Sequence, residues 1–328
     1  MAGLAHELAG EERPKPLQHT PHYKRYLAIL LICSLGIIFL AYPMARSDYY
    51  ERISRRMFWH AMDYHMQMAG QRCDVVVFGD STGLTGIDPD VLRQQTGLSA
   101  CVLSVPYLAL STTGTLVLDR FLAHSPAPRV IVFANEARHL HAPRFDEEDG
   151  VIDGWLLVDR IETPLQATKF FLKHPRYSVI FMEGVWQQVF TLSVAGGIDL
   201  SERTYRQDMD TLRAHSGFFP LLKLESPEQV CELKMDPPVD DAEYLPSLRA
   251  RYENAATKVL LYVSPVRACD ANVPAYQAVA ARLHLRPPAV YSPTEFADPW
   301  HLGQAAATKN SIEVAREIQT LLENGSGR

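Results

Sequence analysis

The chain has 328 residues, 47% of them hydrophobic, which is enough for one sizeable core with attachments. Its formal net charge is −6 and no basic stretch interleaved with aromatic residues stands out, so no nucleic-acid partner is expected. The absence of internal repeats and low-complexity tracts excludes solenoids and propellers.

The first predicted element is a membrane anchor. Residues 1–25 are polar and predict a cytosolic tail. The next stretch, Tyr26 to Tyr42, carries no charge, and it predicts a transmembrane helix over residues 26–43, near the short end of what crosses a bilayer. A cleaved signal peptide is the alternative, but the apolar stretch starts late and Ala41–Met44 is a poor cleavage site.

The cysteines, more than the flanking charges, indicate which side of the membrane the chain occupies. Basic residues flank both ends of the anchor, so the positive-inside rule barely decides. Cys73 precedes the first predicted strand and Cys101 opens the next, so the two could be bridged if those strands are parallel neighbours. Cys231 and Cys269 form a second possible pair, although buried free thiols are the more common explanation for scattered cysteines and are expected in both cases. We favour a cytosolic N terminus with the bulk of the chain outside the cytosol.

Beyond the anchor the pattern turns from linker to alternating strands and helices. Residues 44–71 predict a juxtamembrane linker helix, either a stalk on the membrane or a helix packed on the domain. Residues 72–328 form the predicted domain, where buried strands alternating with helices indicate a parallel sheet with helices on both faces. The predicted strands are Cys73–Phe78, Val102–Val105, Arg129–Ala134, Lys258–Val263 and Ala289–Tyr291, and the predicted helices are Asp88–Gly97, Ser111–His124 and Ile312–Leu322.

A long connection, about residues 140–256, separates the third and fourth predicted strands. Connections of this length in compact domains usually carry function. We predict that this insertion is mostly helical and covers the substrate. Its aromatic residues, such as Trp155 and Trp186, are expected in its core rather than against the ligand.

Two short motifs carry the predicted chemistry. Gly79-Asp80-Ser81 follows the first strand directly, at the edge where parallel sheets bind ligands, and Asp298-Pro-Trp-His301 precedes the last helix. A serine hydroxyl needs a base to take its proton, and the base needs a partner that fixes its tautomer. We therefore predict Ser81 as nucleophile, His301 as general base and Asp298 as the group that orients it. Asp-x-x-His alone would indicate a solvated loop, so the prediction depends on the joint placement of both motifs.

On these motifs the chain resembles the SGNH (GDSL-type) hydrolase superfamily over about residues 72–322, particularly its single-anchor bacterial members associated with cell-surface polysaccharide modification. The resemblance implies a flavodoxin-like three-layer α/β/α sandwich. It assigns the triad roles to Ser81, Asp298 and His301.

The resemblance also implies an oxyanion hole. The asparagine of the third family block falls on Asn135, with a turn cap as its alternative role, and the amide of Ser81 is a further donor. The second block lacks its usual glycine in Ser104-Val-Pro-Tyr107, so the amide of Tyr107 or Leu108 would take its place. Histidines 139 and 141, together with Arg138, are expected near the mouth of the site.

The implied function is a membrane-anchored serine esterase or O-acyltransferase that adds or removes acetyl groups on an exopolysaccharide, for example in a cellulose-type system. The protein would cross the bacterial inner membrane once and place its catalytic domain in the periplasm. Its partner would be a membrane-bound acyl donor or polysaccharide synthase. The alternatives are a lipid-directed esterase or thioesterase, and a catalytically silent subunit of a polysaccharide assembly complex. Because no Gly-rich phosphate loop or zinc spacing occurs, no cofactor and no metal are expected.

Overall fold

The computed structural model describes residues 21–47, 49–50, 57–141, 164–194, 198–222, 224–235, 237–238 and 243–325. Most of the predicted cytosolic tail, part of the linker and the part of the insertion that contains Trp155 lie outside these described residues. The chain divides into two compact units, Met1–Ala41 and Tyr42–Arg328.

The first unit contains an apolar helix at the predicted anchor. Helix α1 spans Pro21–Phe39, and a short helix α2, Ala41–Ala45, follows it in the chain. Within the described residues, the 23-residue stretch Tyr23–Ala45 is the one helical segment long and apolar enough to cross a membrane. Its apolar side chains are largely exposed; Ile32, for example, is 68% exposed. The helix therefore has the apolar surface that a membrane span requires.

The second unit is built on a four-stranded parallel sheet with the order β2-β1-β3-β4. The strands are β1 (Val75–Gly79), β2 (Ala100–Val102), β3 (Val130–Asn135) and β4 (Lys258–Val263). The first three are buried along their whole length, which fits the continuous apolar runs in their sequences. In the register of the sheet, Gly79 pairs with Ala134 and Asn135 with Val263, so the carboxyl ends of three strands meet at one edge.

Helices occupy most of the remaining chain. They are α3 (Met57–Gln67), α4 (Ser81–Gly86), α5 (Pro89–Thr96), α6 (Tyr107–Thr113), α7 (Leu116–His124), α8 (Pro164–Lys173), α9 (Pro175–Val194), α10 (Ile198–Ala214), α11 (Pro227–Glu232), α12 (Tyr244–Tyr252), α13 (Val273–Arg282) and α14 (Gln304–Gly325), with a 3-10 turn at Pro293–Glu295. The described part of the insertion is helical, as predicted.

Helix α5 shows how local signals set the boundaries of an element. The Asp88 side chain accepts a hydrogen bond from the Asp90 amide at 2.8 Å, and Pro89 occupies the first turn, where its missing N–H costs nothing. Gly97 ends the helix in the left-handed conformation, with φ of 72°, which a residue with a side chain rarely adopts. The predicted helix Asp88–Gly97 is confirmed.

Several predicted elements are wrong in detail. The second strand, predicted as Val102–Val105, is Ala100–Val102, and the closing helix, predicted from Ile312, begins at Gln304. The single helix Ser111–His124 is divided in two by Gly114, whose φ of 54° no α-helix accommodates. The fifth strand does not join the main sheet: β6 (Val290–Tyr291) pairs in parallel with β5 (Val266–Arg267) in a separate two-stranded sheet. Pro265, which has no amide hydrogen to donate to a ladder, lies between β4 and β5 in the chain.

The linker helix α3 is packed on the second unit. Trp59 and Met62 have no exposed surface, and α3 lies against α10 and α7. His60 Nδ1 lies 2.6 Å from an Asp208 carboxylate oxygen on α10. Of the two alternatives for this segment, the structure therefore supports the packed helix over the stalk.

Both candidate cysteine pairs are disulfide-bonded. Cys73 is joined to Cys101 and Cys231 to Cys269, each with a Cα–Cα distance of 5.9 Å. The first bridge joins the segments of two parallel neighbours, β1 and β2, as its prediction required. Cys33, in the apolar helix, is the free cysteine. The expectation of buried free thiols at the four bridged positions is therefore wrong.

Candidate active site

The end of β1 delivers Ser81 to the edge of the sheet. Gly79 has a φ of 152°, and a Cβ added there would overlap the carbonyl oxygen of Ala134 on the neighbouring strand. Only glycine fits this close approach of two strands. The chain turns at Asp80, and Ser81 is the first residue of α4, with its side chain partly exposed.

Asp80 is a buried carboxylate that joins this turn to the neighbouring strand. One of its oxygens accepts hydrogen bonds from the Thr82 amide at 2.9 Å and the Thr82 hydroxyl at 2.6 Å. The other accepts the Glu136 amide, just beyond β3, at 2.7 Å. Burial raises the pKa of Asp80, but the polar contact and charge of His139 and the other donors outweigh it, so the pKa lies below its ordinary value.

A short closed loop positions the other two predicted catalytic residues. The loop lies between the 3-10 turn and α14, and the Ala297 amide donates to the His301 carbonyl at 2.8 Å. The amides of Trp300 and His301 donate to one Asp298 carboxylate oxygen at 2.8 and 2.9 Å. Asp298 thus shapes the loop with one oxygen and leaves the second for the imidazole.

The imidazole of His301 contacts both other members of the predicted triad. Its Nε2 lies 2.9 Å from Ser81 Oγ, and its Nδ1 lies 2.8 Å from the second Asp298 oxygen. With the proton on Nδ1, the ring donates to Asp298 and accepts from the Ser81 hydroxyl. Burial raises the pKa of Asp298, but the hydrogen bond and charge of His301 and the two loop amides lower it more, so the carboxyl favours its ionised form. This is the arrangement that activates a serine hydroxyl.

Asn135 ends β3 at the same edge of the sheet. It is 3% exposed, and its carbonyl accepts the Ser264 amide at 2.9 Å. Its side-chain Nδ2 has no hydrogen-bond partner among the described residues. A buried amide donor without a partner is costly, so this group is available for an oxygen of a bound ligand.

Tyr107 is brought near the serine turn by the extension of β2. The Val105 amide donates to the Gly79 carbonyl at 3.0 Å, which carries the chain past the end of β1 to Tyr107 at the start of α6. The Tyr107 ring stacks on the His139 ring, with centroids 3.4 Å apart and planes within 8°. His141 meets Tyr107 edge-on at 6.5 Å. Both histidines predicted near the mouth are therefore part of one aromatic cluster with Tyr107.

Asp80, Glu136 and His139 have ligand atoms within 4.8 Å of one another, the spacing that a metal ion requires. His139 Nδ1 lies 3.5 Å from Asp80 and 3.4 Å from Glu136. The hydrogen bonds to Asp80 and the 2.5 Å pair between Arg138 and Glu136 already use both carboxylates. The two carboxylates are thus accounted for by internal hydrogen bonds and an ion pair, while His139 Nδ1 has no hydrogen-bond partner among the described residues.

One contact at the site has no signal in the sequence. The Thr82 hydroxyl lies 2.7 Å from that of Ser264, which follows β4, and both residues are buried. Burial raises the pKa of Tyr244, in the insertion, and the charges of Asp80 and Tyr107 raise it further. Tyr244 also lines an open groove of about 410 Å³, whose polar lining includes Thr113, Thr115, Asp119, Ser247 and Arg251.

Comparison with known proteins adds no relative: no protein-family model matches the chain, and no curated protein matches it. The chemistry of the site must be inferred from its geometry and from the motifs that produce it.

Proposed function

We propose that this chain is a membrane-anchored serine esterase or O-acyltransferase of the SGNH type that acts outside the cytosol. The observation that carries the proposal is the His301 imidazole, which lies 2.9 Å from Ser81 Oγ and 2.8 Å from the Asp298 carboxylate. A hydroxyl, a base and an orienting carboxylate in this order are what acyl transfer through a serine requires.

The proposed reaction has two halves. Ser81 Oγ attacks the acyl carbonyl while His301 Nε2 takes the hydroxyl proton, and the resulting imidazolium is stabilised by Asp298. The tetrahedral oxyanion is held by the Asn135 amide together with the backbone amides of Ser81 and Tyr107. His301 then returns the proton to the departing alkoxide, which leaves an acyl group on Ser81. In the second half, water or a sugar hydroxyl loses its proton to His301, attacks the acyl group and releases Ser81.

The architecture supports the proposed flavodoxin-like three-layer sandwich. The four parallel strands have the order β2-β1-β3-β4, which is the start of the flavodoxin-like order 2-1-3-4-5. In such sheets ligands bind beyond the carboxyl ends of the strands, where Ser81 and Asn135 lie.

The proposed location is the periplasmic side of a bacterial inner membrane, reached through a single span. The apolar helix supports the anchor, and two disulfides support an oxidising compartment for the second unit. By resemblance, we propose an acetylated exopolysaccharide as substrate and a membrane-bound acyl donor or synthase as partner.

Covalent labelling tests the nucleophile. The full chain in detergent should react with a fluorophosphonate probe, and Ser81→Ala should abolish the reaction. Ser111→Ala is the matched control, because that serine is also partly exposed but its hydroxyl bonds the Leu108 carbonyl instead of a histidine. Equal labelling of the Ser81→Ala variant, or none of the wild type, would reject the enzyme and leave the silent subunit as the better reading.

Product analysis then separates esterase from transferase. The full chain is incubated with an acetyl-ester donor and candidate glycans, and acetate and glycan masses are measured. Acetate alone indicates hydrolysis, and acetylated glycan indicates transfer. A preference for long-chain acyl esters over acetyl esters would instead favour the lipid-directed alternative.

A further inference from the structure

The helical hairpin α8–α9 exposes an apolar face. Leu165 and Leu172 on α8 are 65% and 75% exposed, and Val179 and Phe190 on α9 are 58% and 61% exposed. Isolated exposed apolar residues are ordinary, but here four large ones occur within one hairpin. Such a face needs an explanation beyond chance.

Helical spacing places these residues on one side of each helix. Leu165 and Leu172 are seven residues apart and Val179 and Phe190 eleven, and both intervals return nearly to the same side of a helix. The Trp186 ring lies 6.0 Å from the Phe190 ring on that side of α9. We call this side, with the exposed Lys169 and Lys173 of α8, the outer face of the hairpin.

The opposite side of the hairpin holds the end of the membrane-spanning candidate. Phe171 and Phe181 are buried, and the Tyr42 ring contacts them with centroids 4.5 and 5.6 Å away. Tyr42 belongs to the apolar stretch Tyr23–Ala45. Tyr42 is the first residue after the first unit, so the chain itself connects the hairpin to the end of the apolar stretch.

The charge of the hairpin complements an anionic surface. Residues 164–194 contain three Lys or Arg and one Glu, a net charge of +2, while the whole chain carries −6. Lys169, Lys173 and Arg176 are exposed. Long basic side chains can keep their stems on apolar surface and their charges among lipid phosphates, and Trp is favoured at the same depth.

We propose that the outer face of the α8–α9 hairpin lies in the headgroup layer of an anionic bilayer, as a second membrane contact in addition to the anchor. The proposal rests on the membrane anchoring in the proposed function and is independent of catalysis. A hairpin of this kind, with apolar and basic residues on one side, fits the pattern of helices that lie in the membrane interface.

Fluorescence quenching in vesicles tests the proposal with the full chain. Cysteine is introduced as Leu172→Cys or Phe190→Cys in a Cys33→Ser background and carries an environment-sensitive fluorophore. The chain is reconstituted in phosphatidylcholine vesicles with or without phosphatidylglycerol. Since interfacial helices sink about 5–10 Å into the bilayer, brominated lipid should lower the emission of both labels about twofold in the anionic vesicles. A label at Gln94→Cys, exposed on α5, is the control and should be quenched by aqueous iodide instead.

Charge reversal tests the electrostatic part. In a variant that combines Lys169→Glu with Lys173→Glu, the label at Leu172→Cys should be quenched by iodide as strongly as the label at Gln94→Cys. The proposal would be overturned if, in the chain with native Lys169 and Lys173, iodide quenched the label at Leu172→Cys as strongly as the control label. A label shielded from both quenchers would also overturn it, because a second protein copy would then cover the face. A label on native Cys33 reports the anchor separately: if brominated lipid does not quench it, the anchoring itself has failed.

Discussion

At the scale of single residues, Asp298 contributes through both carboxylate oxygens. One oxygen accepts the Trp300 and His301 amides and so fixes the loop, and the other accepts the imidazole proton. A substitution that keeps the shape but removes the charge therefore affects the imidazole more than the loop.

Asp298→Asn should lower ester turnover by about 10⁴-fold, because the amide leaves the imidazole in the wrong tautomer to accept the Ser81 proton. The measurement is steady-state hydrolysis of a small acetyl ester. Asp210→Asn, at a carboxylate that is 76% exposed on α10, should leave turnover unchanged. A loss of less than tenfold in Asp298→Asn would contradict the assigned role.

Asn135→Ala should separate activity from stability. Loss of one oxyanion donor lowers turnover by about 10²–10³-fold. The melting temperature should not fall, since Nδ2 forms no hydrogen bond among the described residues that the variant would break. Thermal unfolding and ester hydrolysis of the same preparation provide both numbers. A lower melting temperature with unchanged turnover would instead indicate a structural cap.

At the scale of elements, α3 joins the region after the anchor to the core through buried polar groups. His65, on α3, is 1% exposed, and its Nε2 lies 3.0 Å from the Gly217 carbonyl. Burial lowers the pKa of His65 to about 4, although the Gly217 carbonyl favours the charged form. The folded protein therefore holds this histidine neutral under conditions where the unfolded chain would protonate it.

This difference predicts a stability that depends on pH. Because the pKa of His65 in the folded protein lies below its ordinary value of 6.5, protons bind the unfolded state first, and the free energy of unfolding should fall as pH drops from 6.5 to about 4. The contribution of His65 to this fall is about 3 kcal/mol. Denaturant unfolding at several pH values measures it, with His65→Gln as the comparison. An equal slope in both proteins would show that other groups cause the loss.

The elements that the sequence predicted correctly are those with local signals. The β-branched runs located β1, β3 and β4 to within a residue or two, and Asp88-Pro89 with Gly97 located α5. The errors occurred where one residue overrides a pattern, as at Gly114 between α6 and α7. The separate sheet β5–β6 could not be foreseen, because strand pairing over long sequence distances is decided by packing and not by periodicity.

At the scale of the whole molecule, the contact between Ser81 and His301 spans 220 residues of sequence. Ser81 could be predicted because it follows β1 at the edge where parallel sheets bind ligands, and His301 because Asp-x-x-His before the last helix supplies a base with its orienting carboxylate. The stacking of Tyr107 on His139 could not be predicted. That contact depends on how the chain beyond the sheet folds back, for which the two residues carry no pattern.

The disulfides make a prediction for the whole chain. Of five cysteines, four are bridged and Cys33 is free. Protein exported to the periplasm, denatured without reductant, should therefore bind one maleimide, and after reduction five. Mass spectrometry of the alkylated chain measures both. Five adducts without reduction would place the second unit in a reducing compartment and contradict the proposed topology.

The position of the Asp80 carboxylate has a mechanical consequence. The carboxylate accepts hydrogen bonds from Thr82, which follows Ser81, and from the Glu136 amide, which follows Asn135. Moving Ser81 away from Asn135 would break one of these bonds and leave a buried charge without a partner, which is costly. His301 and Asp298 belong to a different segment, which reaches the pocket from the other end of the chain. When an acyl group binds, we therefore expect the loop with Asp298 and His301 to move, while Ser81 and Asn135 keep their positions relative to each other.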